Sequence, residues 1–164
     1  TKEHAAHGVL TILIGGDISV FSRCRETFSH FSLNTLHMGN IGDATRMMKV
    51  VTLVQAQLIE ALCEAMLLGD KMGFSTDQIL EVLDAGGVAA PLIQKKGRTI
   101  ARGDFTRNLA LKYVHAGLNQ VQEAADRVGL TLPATEAVRK VFAQAVADGK
   151  GEEDFSAIYK TLQK

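Results

Sequence analysis

Tryptophan is absent from the 164 residues, and prolines and cysteines number only two each. Two prolines and no tryptophan point toward helix rather than a β-sandwich. Cys24 and Cys63 are too few for a disulfide scaffold or a zinc knuckle, so they read as ordinary thiols of a reducing compartment. No charge of either sign is in excess, since 18 Lys and Arg balance 18 Asp and Glu. That argues against direct contact with nucleic acid or an acidic membrane, either of which calls for a basic surplus. Long hydrophobic runs are missing too. Val50 to Ile59, the longest uncharged stretch of the most apolar region, includes Thr52, Gln55 and Gln57. A membrane span needs about 20 predominantly apolar residues. Thr1 to His7 is polar and no cleavage pattern follows, so no signal peptide is expected. The expectation is a soluble, intracellular protein, cytoplasmic or nuclear.

What is present is the composition of an ordinary folded domain, 46% apolar and 22% charged. A chain of this length buries roughly two-thirds of its unfolded surface without staples. Val9 to Ile14 is a β-type run stopped by Gly15-Gly16, and Asp17 caps a predicted helix to about Phe31. Leu33 to His37 is a second short strand. Such a β-α-β piece leaves edges and a face unpaired, so it needs more sheet. From Asp43 to Lys71 the pattern is one helix of about 43 Å at 1.5 Å per residue. Its middle is apolar nearly all round, which predicts burial on most sides in a bundle or by a partner subunit. Ser75-Thr76-Asp77-Gln78 is a capping box for a helix to about Ala85, and Pro91 opens another to about Ala101. A long helix over about Leu109 to Val128 follows. The next, opened by Thr131 before Pro133, ends near Asp148-Gly149. A short last one lies around Phe155 to Leu162.

Local chemistry is sparse. His4 and His7 have helix-compatible metal spacing but no third ligand nearby, so no metal site is expected. No nucleophile–base grouping is legible, and no glycine cluster matches the dinucleotide fingerprint. Lys95-Lys96 with Arg98 reads as a solvated basic helix face.

Several spacings taken together resemble the β-hydroxyacid dehydrogenase family, of the 3-hydroxyisobutyrate dehydrogenase and glyoxylate reductase type. Ala5-x-x-Gly8-x-Leu10-x-Ile12-x-x-Gly15-Gly16-Asp17 looks like the end of its Rossmann domain. Gly39-x-x-Gly42 resembles the entry to its long interdomain helix. Glu64-Ala65, Leu68 and Gly73 match that helix's end, and Asp154-Phe155-Ser156-Ala157 its C-terminal signature. The resemblance implies a mainly α fold. Residues 1–40 would be the C-terminal edge of a truncated Rossmann-type NAD(P)-binding domain, and residues 41–164 a multi-helix C-terminal domain built on the long helix. It also implies that NAD or NADP binds only with the missing N-terminal part of that domain.

In the family, a lysine on the interdomain helix is the general acid/base of hydride transfer, and an asparagine four residues later orients the substrate. Counting back from Glu64 and from Gly73 puts the lysine position at Met48 and the asparagine position at Thr52. A thioether donates no proton. Lys49 and Lys112 are the candidate stand-ins, although one helical step turns Lys49 about 100° from the Met48 direction. A lysine–aspartate pair that reaches the cofactor falls, counting back from Gly129 and Pro133, at Ala116 and Gly117. Arg46-Met47-Met48, Val51, Val54-Gln55 and Leu111-Lys112-Tyr113 resemble one branch, the glyoxylate-reductase-like domain of nucleosome-destabilising factors, which carries methionine at the lysine position. That branch keeps the asparagine, from which Thr52 departs.

The resemblance therefore implies a catalytically inactive domain serving oligomerisation and closure of an active site, as a homodimer or homotetramer. Two alternatives stand beside it. One is a working NAD(P)-dependent reductase of small β-hydroxy acids or aldehydes, such as glyoxylate, succinic semialdehyde or 3-hydroxyisobutyrate. The other is a helical protein-binding module of a chromatin factor. Neither a direct nucleic-acid partner nor a membrane is expected.

Overall fold

The computed structural model describes residues 2–164 and divides the chain into two compact units, Thr1–Val51 and Thr52–Lys164. The first unit begins with a short helix, α1 (Lys2–Ala6). Strand β1 (Leu10–Ile14) then pairs in parallel with β2 (Ser32–His37) across helix α2 (Ile18–Ser29). The Asp17 carboxylate starts α2 by accepting the Ser19 and Val20 amides at 2.8 and 3.2 Å, and the Ser19 hydroxyl first, then these amides, hold its pKa below the ordinary carboxylate value. α2 stops at Ser29, two residues before the predicted end. There the Ser32 hydroxyl donates to the Phe28 carbonyl at 2.7 Å and takes over a helix-end acceptor. Gly15 lets the chain fold back closely, since a Cβ on it would lie 2.4 Å from the Asn40 carbonyl oxygen. Leu33 and Leu36 of the two-stranded sheet are exposed, as expected of a sheet this narrow.

Helix α3 (Asp43–Lys71) has the predicted bounds and continues into the second unit, where it meets α4 (Thr76–Ala85), α5 (Pro91–Ala101), α6 (Leu111–Arg127) and α7 (Pro133–Ala145). The reciprocal capping box at Ser75 and Gln78 is present, and Pro91 and Pro133 stand in first turns. Past α7 a wider π-type turn, Val146–Lys150, bends at Gly149 with φ of 81°. A 3-10 turn (Phe155–Ala157) and α8 (Ile158–Leu162) complete the chain. The core is Ile59, Leu62, Cys63 and Met66 of α3 against Leu80, Ile93, Ile100, Leu111, Leu118, Phe142, Phe155 and Ile158. The architecture is mainly α with a β-α-β piece in front, as expected.

Three expectations are corrected. Burial of α3 on most sides by a bundle of its own chain does not hold, because the chain itself buries only Ala56, Ile59, Leu62, Cys63, Met66 and Gly69 of it; cover by a partner subunit is the alternative that stands. Met47, Val50, Val51, Val54 and Leu68 are exposed. By length and composition α3 is also apolar enough to cross a bilayer, with a stretch of mean hydropathy 1.5, contrary to the sequence reading. Its buried face is nevertheless part of the protein core, which is the environment that face is shaped for. Lastly, α6 starts at Leu111 rather than near Leu109. The Leu111 and Lys112 amides donate to the Glu153 and Gly151 carbonyls, at 2.9 and 3.0 Å, so the C-terminal segment sets where the helix begins.

Candidate functional site

Met48 and Thr52 sit one turn apart on α3, which places them on one face of that helix. Met48 is half exposed and Thr52 half-buried. The structure brings Thr52 against Gly117 of α6. A Cβ built on Gly117 would have three Thr52 atoms as its nearest neighbours: Cγ2 at 2.9 Å, Oγ1 at 3.8 Å and Cβ at 3.9 Å. Two positions 65 residues apart in the chain, found by counting from separate anchors, are thus in contact. Fully buried Ala56, one turn on from Thr52, and fully buried Leu118, next to Gly117, fix the two helices at this level. Ala116 is exposed.

This surface offers a methyl group, a bare Cα and one hydroxyl, none of which titrates near neutral pH. It carries no ammonium or carboxylate with which to hold a nicotinamide nucleotide through the family's paired charges. No catalytic step through such a cofactor follows from these residues.

The candidate stand-ins are placed as follows. Lys112 lies one turn before Ala116, but its ammonium is held by the Glu152 carboxylate, which also takes Arg107 at 2.9 Å. The hydrogen bond to Glu152 raises the Lys112 pKa above its ordinary value and keeps the group a cation. A cation held that way is a poor proton donor at neutral pH. Lys49 is half-buried on α3, about 100° round the helix from Met48. Among the described residues no group of three His, Cys, Asp or Glu could hold a metal ion, and His7 Nδ1 lies 2.8 Å from the Glu3 carbonyl oxygen.

One polar centre escaped the sequence reading. Lys96, taken there as part of a solvated face, is buried and ion-paired with buried Asp154 at 2.7 Å. Asp154 Oδ1 also accepts the Ser156 hydroxyl and amide at 2.7 and 3.1 Å. Its Oδ2 accepts the Asn108 and Leu109 amides at 3.1 and 3.3 Å. The Lys96 ammonium lies 4.8 Å from the Phe155 ring centroid. Burial alone would raise the Asp154 pKa, but Lys96 and Ser156 outweigh it and the carboxyl is held below its ordinary value. This centre ties the C-terminal signature to the loop that leads into α6 and so positions Gly117. The periodicity of α5 contained the signal, because Lys96 falls on the same stripe as Ile93, Gly97 and Ile100.

α3 holds one further polar pair, in which Glu60 lies beside Glu64. Burial first, then the hydrogen bond and charge of Glu64, lift Glu60 to about 7. A carboxyl that holds its proton more tightly when folded contributes stability that is full below its unfolded value, near 4.3, and falls as pH rises through about 7. Thermal melts between pH 4.5 and 8 should therefore lose this downward slope in Glu60→Gln; an unchanged slope refutes the assignment. Cys63 is the opposite case of an inert group, since burial and then Glu60 push its thiol well up.

Comparison with known proteins now bears on this geometry. The family model described as "NAD-binding of NADP-dependent 3-hydroxyisobutyrate dehydrogenase" matches residues 42–162. The cytokine-like nuclear factor N-PAC of Drosophila pseudoobscura pseudoobscura is 31% identical over 159 residues, 97% of this chain and 26% of that protein. Glyoxylate/succinic semialdehyde reductase 1 of Arabidopsis thaliana is 26% identical over 163 residues, 99% of this chain and 56% of the reductase. The chain thus spans about a quarter of one relative and little more than half of the other. In fold it is similar to 3-hydroxyisobutyrate dehydrogenase from Salmonella typhimurium, with a TM-score of 0.90 at 23% identity over 98% of this chain and 57% of that one. Helices α3 to α8 fall within the matched region, and the chain belongs to the 3-hydroxyisobutyrate dehydrogenase family through the NAD-binding domain which that model describes.

Proposed function

We propose that residues 41–164 are a non-catalytic, oligomer-forming helical domain of this family, and that residues 1–40 are the C-terminal edge of its dinucleotide-binding domain. The observation that carries the reading is the packing of Thr52 on Gly117 beside a half-exposed Met48, at the three positions where the resemblance puts the asparagine, the aspartate and the lysine. A thioether at position 48 cannot move the proton that accompanies hydride transfer. NAD or NADP would be held chiefly by glycine-rich turns of the Rossmann part, outside residues 1–164. The setting is intracellular, in line with the word "nuclear" in the name of the N-PAC relative.

The experiment is turnover by the full protein of glyoxylate, succinic semialdehyde and 3-hydroxyisobutyrate with NADH, NADPH or their oxidised forms. The expected result is no cofactor-dependent rate above buffer. A measurable kcat overturns the inactive reading in favour of a reductase, the activity named in the Arabidopsis relative. Lys49→Ala and Lys112→Ala then show whether either lysine serves. For the oligomer, sedimentation of a well-folded monomer at micromolar concentration overturns the assembly role.

A further inference from the structure

The uncovered side of α3 has a regular spacing that its buried side does not explain. Met47, Val50, Val54, Gln57, Ala61, Glu64 and Leu68 follow one another at alternating intervals of three and four residues. That is the seam of a two-helix coiled coil, sustained over about 32 Å. Gln57 is half-buried, its side-chain amide donating to the Thr135 hydroxyl of α7 at 3.0 Å, and the other six are exposed. The core face, from Ala56 through Gly69, lies on the other side of the helix.

Charge divides along the same helix. Its first half carries Arg46 and Lys49 against Asp43, and its second half carries Glu60, Glu64 and Asp70 against Lys71. Arg46 is engaged with Asp43 on its own helix. Lys49 and Glu60 lie within about 20° of each other around the axis, on the same flank of the seam. Two such helices running antiparallel bring like flanks together, whereas parallel helices bring opposite flanks together.

We propose that the outer face of α3 pairs with α3 of a second copy of this chain, antiparallel, in the register that sets Val50 against Ala61 and Val54 against Gln57 of the other copy. The same register sets Met47 against Glu64. It also puts Lys49 level with residue 62 of the other helix, between Glu60 and Glu64. Every contact occurs twice about a two-fold axis, so one lysine and two acids per chain make two ion clusters. Two of the six layers are apolar and four set an apolar residue against a polar one, and such polar positions fix register and orientation in helix pairs. Lys49, one residue from the position of the family's catalytic lysine, thereby has a role in assembly rather than chemistry.

The inference deepens the oligomerisation reading and rests on it. Sedimentation equilibrium of the full chain gives the test, with circular dichroism to check folding. Val54→Glu should abolish dimerisation. Lys49→Glu should weaken it about tenfold or more, and Lys49→Glu combined with Glu60→Lys and Glu64→Lys should return it to within about threefold of the original. A dimer that withstands Val54→Glu, or a charge reversal without rescue, overturns this pairing and leaves oligomerisation standing; a monomeric original chain overturns both.

Orientation has its own readout. In a Cys24→Ser background, Val50→Cys with Ala61→Cys should cross-link into a covalent dimer on mild oxidation, and Val50→Cys alone should not. Cross-linking by Val50→Cys alone would make the helices parallel and overturn the register. Flotation of the chain with neutral phosphatidylcholine vesicles would assign the face to a bilayer instead, and is expected to be absent.

Discussion

Asp154→Ala lowers the melting temperature by roughly 10 °C, the largest loss expected from any single substitution outside the apolar core. Breaking a buried ion pair by removing one partner costs about 3–5 kcal/mol, and for a chain of this size each kcal/mol is worth about 2–4 °C. The cost arises because the Lys96 ammonium, with 8% of its side chain exposed, is left as an unpaired charge away from water. The carboxylate also has four further donors, and they lose their acceptor together. Lys96→Met should cost less. It keeps the length of the stem and leaves Asp154 with the Ser156, Asn108 and Leu109 donors. Replacing both residues with apolar ones of similar volume should recover part of the loss, as buried ion pairs often allow. The pH dependence has a definite sign. A carboxyl depressed on folding contributes stability that is present above the ordinary aspartate value, near 3.9, and lost as pH falls through the folded one. Acid melts of the native chain and of Asp154→Asn should therefore differ in full above about pH 4 and converge only as pH falls past the lower, folded value. An Asp154→Ala variant that melts within about 2 °C of the native chain shows that the centre is not a fastening.

Helix boundaries were legible to within about two residues, because the signals that set them are local. Asp17, Ser75, Pro91 and Pro133 act on amides within one turn of themselves. The exceptions are ends fixed from a distance. α6 begins where the C-terminal segment captures its first amides, and nothing near Leu109 announces that. The Lys96–Asp154 pair was missed for the same reason. Charge is read from a sequence as solvation, while a partner 58 residues away turns it into burial. The all-round apolar character of α3 was legible, but not which part of it the chain itself covers. Composition tells how much apolar surface a helix has, and tertiary packing selects the side. Of the candidate site, the positions were countable from the sequence. Their contact was not, because Thr52 and Gly117 carry no motif of their own.

That contact governs what Gly117 can become. Gly117→Ala in the native chain should be destabilising, although alanine outranks glycine in a helix by about 1 kcal/mol. The new Cβ would stand 2.9 Å from Thr52 Cγ2, closer than such atoms settle, and the neighbouring buried Ala56 and Leu118 give the helices little room to separate. Gly117→Asp adds volume and a charge to the same space and should cost about 1–3 kcal/mol, or roughly 5 °C. Thr52 makes the obstacle because it is β-branched. It puts two γ atoms on its Cβ, and the methyl is the one that faces Gly117. Serine or asparagine has a single γ atom, so either can turn it away and leave the space open. In a Thr52→Ser background, Gly117→Ala should thus change sign and become stabilising, and Gly117→Asp should become nearly neutral. The coupling in this double-mutant cycle should reach about 1–2 kcal/mol, within the range for residues in direct contact. Additive effects within about 0.3–0.5 kcal/mol would mean that the helices relax apart and Thr52 excludes nothing. The order of substitution then matters for any attempt to rebuild the family's site. Residue 52 has to lose its branch before an aspartate at 117 is accommodated without that loss of stability.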